Sequence, residues 1–555
     1  VSGRRARWIE AGLILGLALA VRLIGLDHTP HTDELNHLLA GRSFRAHGTF
    51  EIGNGGSYPR AKLMTVLVAA MNAVFGEGLI VARIPALVTG VLLVGAVFLW
   101  TRAVTGRPAA WIAAILLITN PMAVYLAQTV RFYSLQVLLI WVGVTGWYGW
   151  VVGRMGDGAG EGGGASEVGA GSAPGKAGIR ALISPAIALA IALHLQLLTL
   201  VDGMGLGLWT ALVMIPRAAA PARERTGERR RPGALAVAGG IALAGIGIAL
   251  LAVFAKTGPG GYLVKLFHFV PLHAAGHTHN PWFYVQYLRY DYGVLWLLFP
   301  VWLALALAFR PRPALFCGIL FGTAMVFHAI AAWKHERYLF HALPLLFVVM
   351  GIAAGGILER AAAALGWGRE ERGGRPGLVW LAAALGLVVA TAFSTTAVRT
   401  TWKMLTVSDE RWDDMYRYRG EPDWAKAAPT LRAVADSVEV VVSSNDLKSL
   451  YYLDRLDYTL SAFNLTHVKG NLPEFGMADK TGLPVISAPG SIAKVIDSHQ
   501  SGLVVVERYD WHERAGVPGG TGNYISAHTE AVPLDGHWRL LAFRWRRPGG
   551  TPVAE

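Results

Sequence analysis

The chain has 555 residues, 53% of them hydrophobic and only 16% charged, with a mean hydropathy of +0.41. Soluble domains carry roughly 25% charged residues, so this composition excludes a disordered protein, a disulfide scaffold and an ordinary soluble enzyme. It leaves a polytopic membrane protein. A formal charge of +13 would suggest nucleic acid in a soluble protein, but here the basic residues sit in short stretches between apolar runs, as the positive-inside rule requires. No nucleic acid partner is expected. Cys317 is the one cysteine and lies inside an apolar run, so no intrachain disulfide can form.

The first apolar run, at about 8–26, follows Arg4, Arg5 and Arg7. It is long enough to span and is followed by no small-residue cleavage site, which reads as an uncleaved first helix with a cytoplasmic N-terminus. Residues 27–78 then form the first outer loop, in which 63–75 is apolar but short and predicts a helix at the membrane interface. Further spans are predicted at about 79–101, 108–127, 133–152, 181–200, 204–215, 234–255, 292–309, 314–333, 339–358 and 378–398, about eleven transmembrane helices in all. The intervening cytoplasmic loops hold Arg102 and Arg107; Arg154, Lys176 and Arg180; the arginines between 217 and 231; Arg310 and Arg312; and Arg360, Arg369, Arg372 and Arg375. Each carries at least two basic residues, and an odd number of spans puts the C-terminus outside. The Gly-rich stretch 153–179 reads as a flexible cytoplasmic linker. A phosphate-binding loop would need a preceding strand and a following GK[ST], and it has neither.

After residue 398 the composition changes. Short apolar strands at 438–444, 484–488 and 502–507 alternate with amphipathic stretches at 424–437, 446–453 and 491–499, which predicts a soluble extracytoplasmic α/β domain over 399–555. It contains no GxGxxG and no nucleophile or metal-ligand constellation, so its expected role is binding, docking or covering the membrane site.

The residues suited to chemistry lie on the outer side. Asp33 and Glu34 follow the first helix at the point where the chain leaves the membrane, and Leu35, Leu38, Leu39 and Phe44 then mark one face of a short amphipathic helix. Adjacent carboxylates point in different directions on a helix start, so one can face a substrate while its neighbour orients a cation or metal. The alternative is an acidic helix N-terminus favoured by the macrodipole. His28, His31 and His37 share the loop; their spacing matches no closed zinc set, which favours interfacial polar histidines over ligands. Basic residues recur on the same side: Arg60 and Lys62 in SYPRAKL, Arg131 in VRFYS, Lys265 with His268, His273, His277 and His279, and Lys334, His335 and Arg337 beside Glu336. They serve either to snorkel to lipid phosphates or to hold the leaving group of a phosphorylated substrate. A carboxylate can act as general base toward an acceptor hydroxyl. No ATP or sugar-nucleotide motif faces the cytoplasm, so such an enzyme needs a donor already activated in the membrane, and a lipid phosphate fits.

TDE (32–34), YPRAKL (58–63), FGEGLIVARIPALVTGVLLV (75–94), VRFYSL (130–135) and KHERYLFHALPLL (334–346), taken in order, resemble the GT-C superfamily of membrane glycosyltransferases. The likeness is to the protein O-mannosyltransferase and lipid A aminoarabinose-transferase-like branch, and it covers about residues 8–398. It implies a mainly α-helical polytopic membrane protein whose catalytic domain is 1–398, followed by the α/β domain. It also implies transfer of a sugar, hexosyl or pentosyl, from a polyprenyl-phosphate donor to a glycan, lipid or protein acceptor outside the membrane, with inversion at the anomeric carbon. Asp33 matches the catalytic acidic position and Glu34 its companion. Lys62, Arg131, His335 and Arg337 match donor-phosphate positions, with Arg60, Tyr133 and Glu336 as substrate-binding neighbours. The usual EKPP context of the lysine is replaced by Arg60–Ala61–Lys62, and Phe132–Tyr133–Ser134 stand where some members carry a second aspartate.

No cofactor is required by this reading, the lipid-linked sugar being substrate. A divalent ion at Asp33 and Glu34 stays open, since no complete ligand set is visible. The expected location is a bacterial inner (plasma) membrane with the C-terminal domain outside. Three alternatives stand against it, of which a lipid-linked oligosaccharide polymerase or ligase shares the helices and outer-loop basic residues but does not need the TDE loop. A transporter would place ionisable groups at the bilayer midplane, whereas the predicted spans hold little beyond His194, with Asp202 between two of them and Lys256 at an end. A non-catalytic envelope assembly protein would keep its function after Asp33→Asn.

Overall fold

The computed structural model describes residues 2–53, 55–154, 179–219, 280–331, 334–364, 386, 395–408, 421–460, 475–478, 480–486, 488–512, 517–518, 520–534 and 539–547. The chain divides into two compact units. One is Val1–Ile24, Ala86–Gln128 and Phe132–Leu405; the other is Gly25–Pro85, Thr129–Arg131 and Thr406–Glu555.

Among the described residues four helices are long and apolar enough to cross a membrane: Leu79–Thr105, Tyr133–Gly153, Pro311–Ile330 and Glu336–Ala364. The predicted span 108–127 is a pair of helices, Arg107–Ile118 and Pro121–Ala127, bent by 65°. The bend follows from local chemistry. Pro121 cannot continue a preceding helix, and Asn120 starts a new one by accepting from the Ala123 amide at 2.8 Å. The predicted span 292–309 is also broken, into Val294–Leu297 and Phe299–Phe309, after a separate helix Phe283–Tyr292. The first helix is Ser2–Leu23; its Glu10 pairs with Arg102 and Arg107, and its buried Arg22 donates to Ala18 O at 3.2 Å. The predicted spans 234–255 and 378–398 lie wholly or largely outside the described residues, as do most of the 153–179 linker and the histidines from 268 to 279.

Helix packing in the first unit relies on small residues. A Cβ on Gly351 would come within 2.6 Å of Ala109 O, and one on Gly355 within 2.7 Å of Ala109 N. The Gly351–x–x–x–Gly355 stripe of Leu343–Ala364 thus lets that backbone approach Arg107–Ile118 directly, the device that membrane helices use where lipid offers no hydrophobic drive.

The second unit is built on sheet. A small hairpin pairs β1 (Glu51–Ile52) with β2 (Gly56–Ser57). The main sheet comprises β3 (Val440–Ser443), β4 (Tyr458–Thr459), β5 (Phe475–Met477), β6 (Pro484–Ile486), β7 (Ser501–Glu507), β8 (Glu530–Ala531) and β9 (Leu540–Arg546), in spatial order β5-β6-β4-β3-β7-β9-β8. β6, β4, β3 and β7 run parallel, and β5, β9 and β8 pair antiparallel outside them. Strand alternation sends Val441, Leu503 and Val505 to a core with Trp424, Leu431 and Tyr452, while Val440, Val442, Val504 and Val506 meet Ile492, Val495 and Trp545 on the other face. Helices therefore cover both faces, and β3 and β7 each carry three consecutive valines, the continuous apolar run of doubly covered parallel strands.

Residues 25–85 belong to this unit. Arg42 pairs with Glu77 at 2.6 Å and Asp454 at 3.3 Å, and its guanidinium lies 4.6 Å from the centre of the Tyr451 ring. Gly56 sits so close to Lys480 that a Cβ would come within 1.8 Å of Lys480 O.

Candidate active site

The site is built at the start of the Thr32–His47 helix. His31 is its N-cap: Nδ1 accepts from the Asp33 amide at 3.1 Å, while Glu34 reaches back to accept from the His31 amide at 3.0 Å. This reciprocal arrangement satisfies amides that a helix start leaves without intrahelical partners. At the far end Gly48, at φ 71°, closes the helix by donating to Phe44 O at 3.0 Å.

The two adjacent carboxylates have different surroundings. Glu34, expected as the catalytic companion, is fully buried. Its Oε1 accepts from Arg83 Nη2 at 2.9 Å and its Oε2 from Arg83 Nε at 3.0 Å and from the Val130 amide at 2.7 Å. Arg83 is equally buried and also donates to Leu26 O at 2.7 Å and His28 O at 2.8 Å. Asp33 keeps 27% of its side chain exposed and pairs through Oδ2 with Arg131 Nη1 at 3.1 Å. Arg131, 4% exposed, donates from the same nitrogen to Asp33 O at 3.2 Å. The turn 129–131 is therefore held from two sides, by Glu34 on the Val130 amide and by Asp33 on the Arg131 guanidinium.

His37 lies one turn further on, fully buried, with Nδ1 2.9 Å from Thr65 Oγ1 and its ring edge-on to Tyr58. Burial pushes its titration down to about 3, helped by the charges of Arg131 and Arg60 and opposed by Asp33. Its ring is neutral at pH 7. Lys62 opens the Lys62–Phe75 helix and lies 5.3 Å from the centre of the Phe50 ring; both it and Arg60 are exposed. Between them Ala61 takes the left-handed conformation, φ 47° and ψ 48°, which costs a non-glycine residue about 1–2 kcal/mol. Asp33, Glu34, Arg60, Lys62 and Arg131 all fall in the second unit.

Tyr133, His335, Glu336 and Arg337 fall in the first unit. His335 caps the short 3-10 helix Glu336–Ala342 by accepting from the Arg337 amide at 3.3 Å, and its Nδ1 lies 3.2 Å from Glu336 Oε2. The Arg337 guanidinium stands 6.0 Å from the centre of the Tyr133 ring and 5.8 Å from that of Tyr338. Lys334 caps the Pro311–Ile330 helix, donating to His328 O at 3.2 Å and Ala329 O at 2.9 Å, as a cation at a helix C-terminus should. Sequence reasoning did not assign Arg83; its only signal is an arginine inside an apolar run. It also passed over the buried chain from Asp202 Oδ1 to His341 Nδ1 (2.9 Å) and from His341 Nε2 to His328 Nε2 (3.0 Å). Among the described residues no group of three His, Cys, Asp or Glu side chains could hold a metal ion.

No family model matches the sequence, and no curated protein matches it at a significant level. Solved structures do match the fold. ArnT from Cupriavidus metallidurans in the apo state superposes with a TM-score of 0.57 at 16% identity, covering 98% of this chain and 98% of that one. The chain has the GT-C fold. ArnT bound to undecaprenyl phosphate gives a TM-score of 0.53 at 17% identity, covering 97% of this chain and 98% of that one. The archaeal oligosaccharyltransferase AglB from Archaeoglobus fulgidus, in complex with an inhibitory peptide and a dolichol-phosphate, gives 0.50 at 13% identity, covering 90% of this chain and 70% of that one.

Proposed function

We propose that the protein is an integral membrane glycosyltransferase that moves a hexosyl or pentosyl group from a polyprenyl-phosphate donor to an extracytoplasmic glycan, lipid or protein acceptor. The observation that carries this reading is the partly exposed Asp33 carboxylate, held at a helix start against buried Arg131 in a chain of GT-C fold. The solved neighbours that hold undecaprenyl phosphate and dolichol-phosphate support the donor class.

In this reading Asp33 takes the proton from the acceptor's nucleophile as general base. The nucleophile bonds to the anomeric carbon as the bond from that carbon to the phosphate oxygen breaks. Polyprenyl phosphate leaves with the electron pair, and a single displacement inverts the centre. Arg131 and Lys62 offset the developing phosphate charge, and a phosphate that draws the Arg131 fork toward itself releases Asp33 for the proton. Glu34 acts as a positioning residue through Arg83 and the Val130 amide. Arg60 lies beside Lys62 in sequence and is assigned to substrate. His335 and Arg337 (donor phosphate) and Tyr133 and Glu336 (substrate) rest on the motif alone. The proposed location is a bacterial inner membrane, with 399–555 outside as an α/β domain.

The test is donor turnover by purified protein in lipid nanodiscs, with a panel of labelled polyprenyl-phosphate sugars and a crude acceptor mixture. Release of polyprenyl phosphate from one donor, lost in folded Asp33→Asn, supports the reading and identifies the sugar. No turnover of any donor overturns it, and undiminished turnover in Asp33→Asn removes the assigned base.

A further inference from the structure

The main sheet has a topological switch point between β3 and β7. From β3 the chain moves outward to β4 on one side, and β7 later returns to the other. In open α/β sheets the crevice outside the carboxyl ends of such strands is where ligands bind. Here it holds a buried charge cluster. Lys448, fully buried, donates to Glu507 Oε1 at 2.8 Å and also to Glu421. Trp424 Nε1 donates to the same Glu507 oxygen at 3.0 Å.

The cluster ends on the chain's own first outer loop. Asn445 Nδ2 donates to Glu507 Oε1 at 3.1 Å and to Thr32 Oγ1 at 3.3 Å, while Asn445 Oδ1 caps the Asp446–Tyr452 helix by accepting from the Lys448 amide at 3.1 Å. Glu421 Oε1 lies 3.7 Å from His31 Nε2. The two residues gripped are the two that precede Asp33, and both lie at the positive end of the Thr32–His47 helix. One lysine between two glutamates, with Asp510 beside Glu507, leaves an excess of negative charge there, which a helix N-terminus favours.

We infer that the crevice is a socket for the catalytic loop: Asn445 and Glu421, aligned by Lys448 and Glu507, fix Thr32 and His31 and so set the direction of Asp33. The inference rests on the assignment of Asp33 as the base. These four are positioning residues, acting through the loop. The contacts that Asn445 and Glu421 make with the loop are worth more to rate than to stability, because misplacing a reacting group by about 1 Å costs about a hundredfold. The device explains how a sheet with no ligand constellation of its own takes part in the reaction.

The experiment compares Thr32→Val, Thr32→Ser and Asn445→Ser in the full-length protein. Serine at 445 keeps the helix cap but is too short to reach Thr32. The readouts are kcat and KM for the lipid donor, the unfolding temperature, and amide hydrogen exchange of peptides covering 31–37 and 129–131. Thr32→Val and Asn445→Ser are expected to lower kcat by about tenfold, with KM and unfolding temperature nearly unchanged and exchange at 31–37 accelerated. Thr32→Ser, which keeps the hydroxyl, restores both. Unchanged exchange and kcat in both variants overturn the socket, as does a kcat loss that only follows a lowered unfolding temperature. If wild type turns over no donor, the function proposed above fails while exchange alone still decides whether the socket exists.

Discussion

Arg83 grips Glu34 through two parallel hydrogen bonds, Nε to Oε2 at 3.0 Å and Nη2 to Oε1 at 2.9 Å, with both side chains fully buried. A bidentate fork of this kind is directional as well as strong. It turns one of two adjacent carboxylates into part of the frame. The other, Asp33, is left to meet Arg131 at 3.1 Å with part of its surface exposed.

Breaking the fork from one side leaves a buried charge without its counter-charge. Glu34→Gln and Arg83→Met are each expected to destabilise the fold by about 3–5 kcal/mol. The double replacement Glu34→Gln/Arg83→Met is expected to cost less than the sum of the two, although the backbone groups that both side chains also hold (the His31 and Val130 amides, the Leu26 and His28 carbonyls) keep part of the loss. Thermal unfolding followed by tryptophan fluorescence measures this. Additive losses would show that the two side chains do not act as a pair.

Arg131 touches both the carboxylate and the backbone carbonyl of Asp33 through one nitrogen, at a reach and with a planar second amino group that the shorter lysine stem and its ammonium do not reproduce. If the proposed reaction holds, Arg131→Lys is expected to lose about tenfold in release of polyprenyl phosphate, and Arg131→Gln about a hundredfold, as the charge assigned there to the leaving phosphate goes too. Equal activity of the two variants would mean that charge at this position is irrelevant.

His37 gives stability a slope with pH. Burial holds its folded titration at about 3, against about 6.5 in an unfolded chain. The unfolded state therefore binds the extra proton between those values. The contribution is fully present above about pH 6.5 and is lost as pH falls, about 2 kcal/mol between pH 6.5 and pH 5. His37→Gln removes the titrating group, and its unfolding temperature should vary less over that interval than that of wild type.

Asp510 slopes the other way. Burial first, then repulsion from Glu507, raises its titration to about 6, although Ser444 Oγ donates to it at 2.8 Å. The folded state thus binds the extra proton between about pH 3.9, the ordinary carboxylate value, and pH 6, and above that range the ionised group costs stability. Asp510→Asn still accepts from Ser444 and is expected to stabilise the protein by about 1–2 kcal/mol at pH 7.5, with no gain near pH 4. The same gain at both pH values would assign the effect to packing.

Backbone geometry gives a further pair of tests. Gly56→Ala puts a Cβ 1.8 Å from Lys480 O, which forces the β1–β2 hairpin away from its seat and is expected to cost about 2 kcal/mol or more. At Ala61, φ 47° suits glycine, so Ala61→Gly is expected to be tolerated while Ala61→Val destabilises by about 1–2 kcal/mol. Unfolding temperatures of the three variants check both expectations.

Local pattern in the sequence determined a good deal of this protein. Long apolar runs appear as the helices Leu79–Thr105, Tyr133–Gly153 and Pro311–Ile330, because a continuous apolar segment must satisfy its own backbone wherever water is absent. The ordered motifs pointed to the GT-C fold, and the alternation after residue 398 pointed to strands and helices. That Asp33 and Glu34 would face different ways was also legible, since successive side chains diverge on a helix start. Which of the two would be enclosed was not. The partners of Glu34 lie 49 and 96 residues away at Arg83 and Val130, and Asn445 lies 413 residues from Thr32. Periodicity reports how a residue faces water along its own helix. The choice of ion-pair partner is made only when distant segments close on one another, and that closure decided which carboxylate is enclosed and which keeps part of its surface exposed.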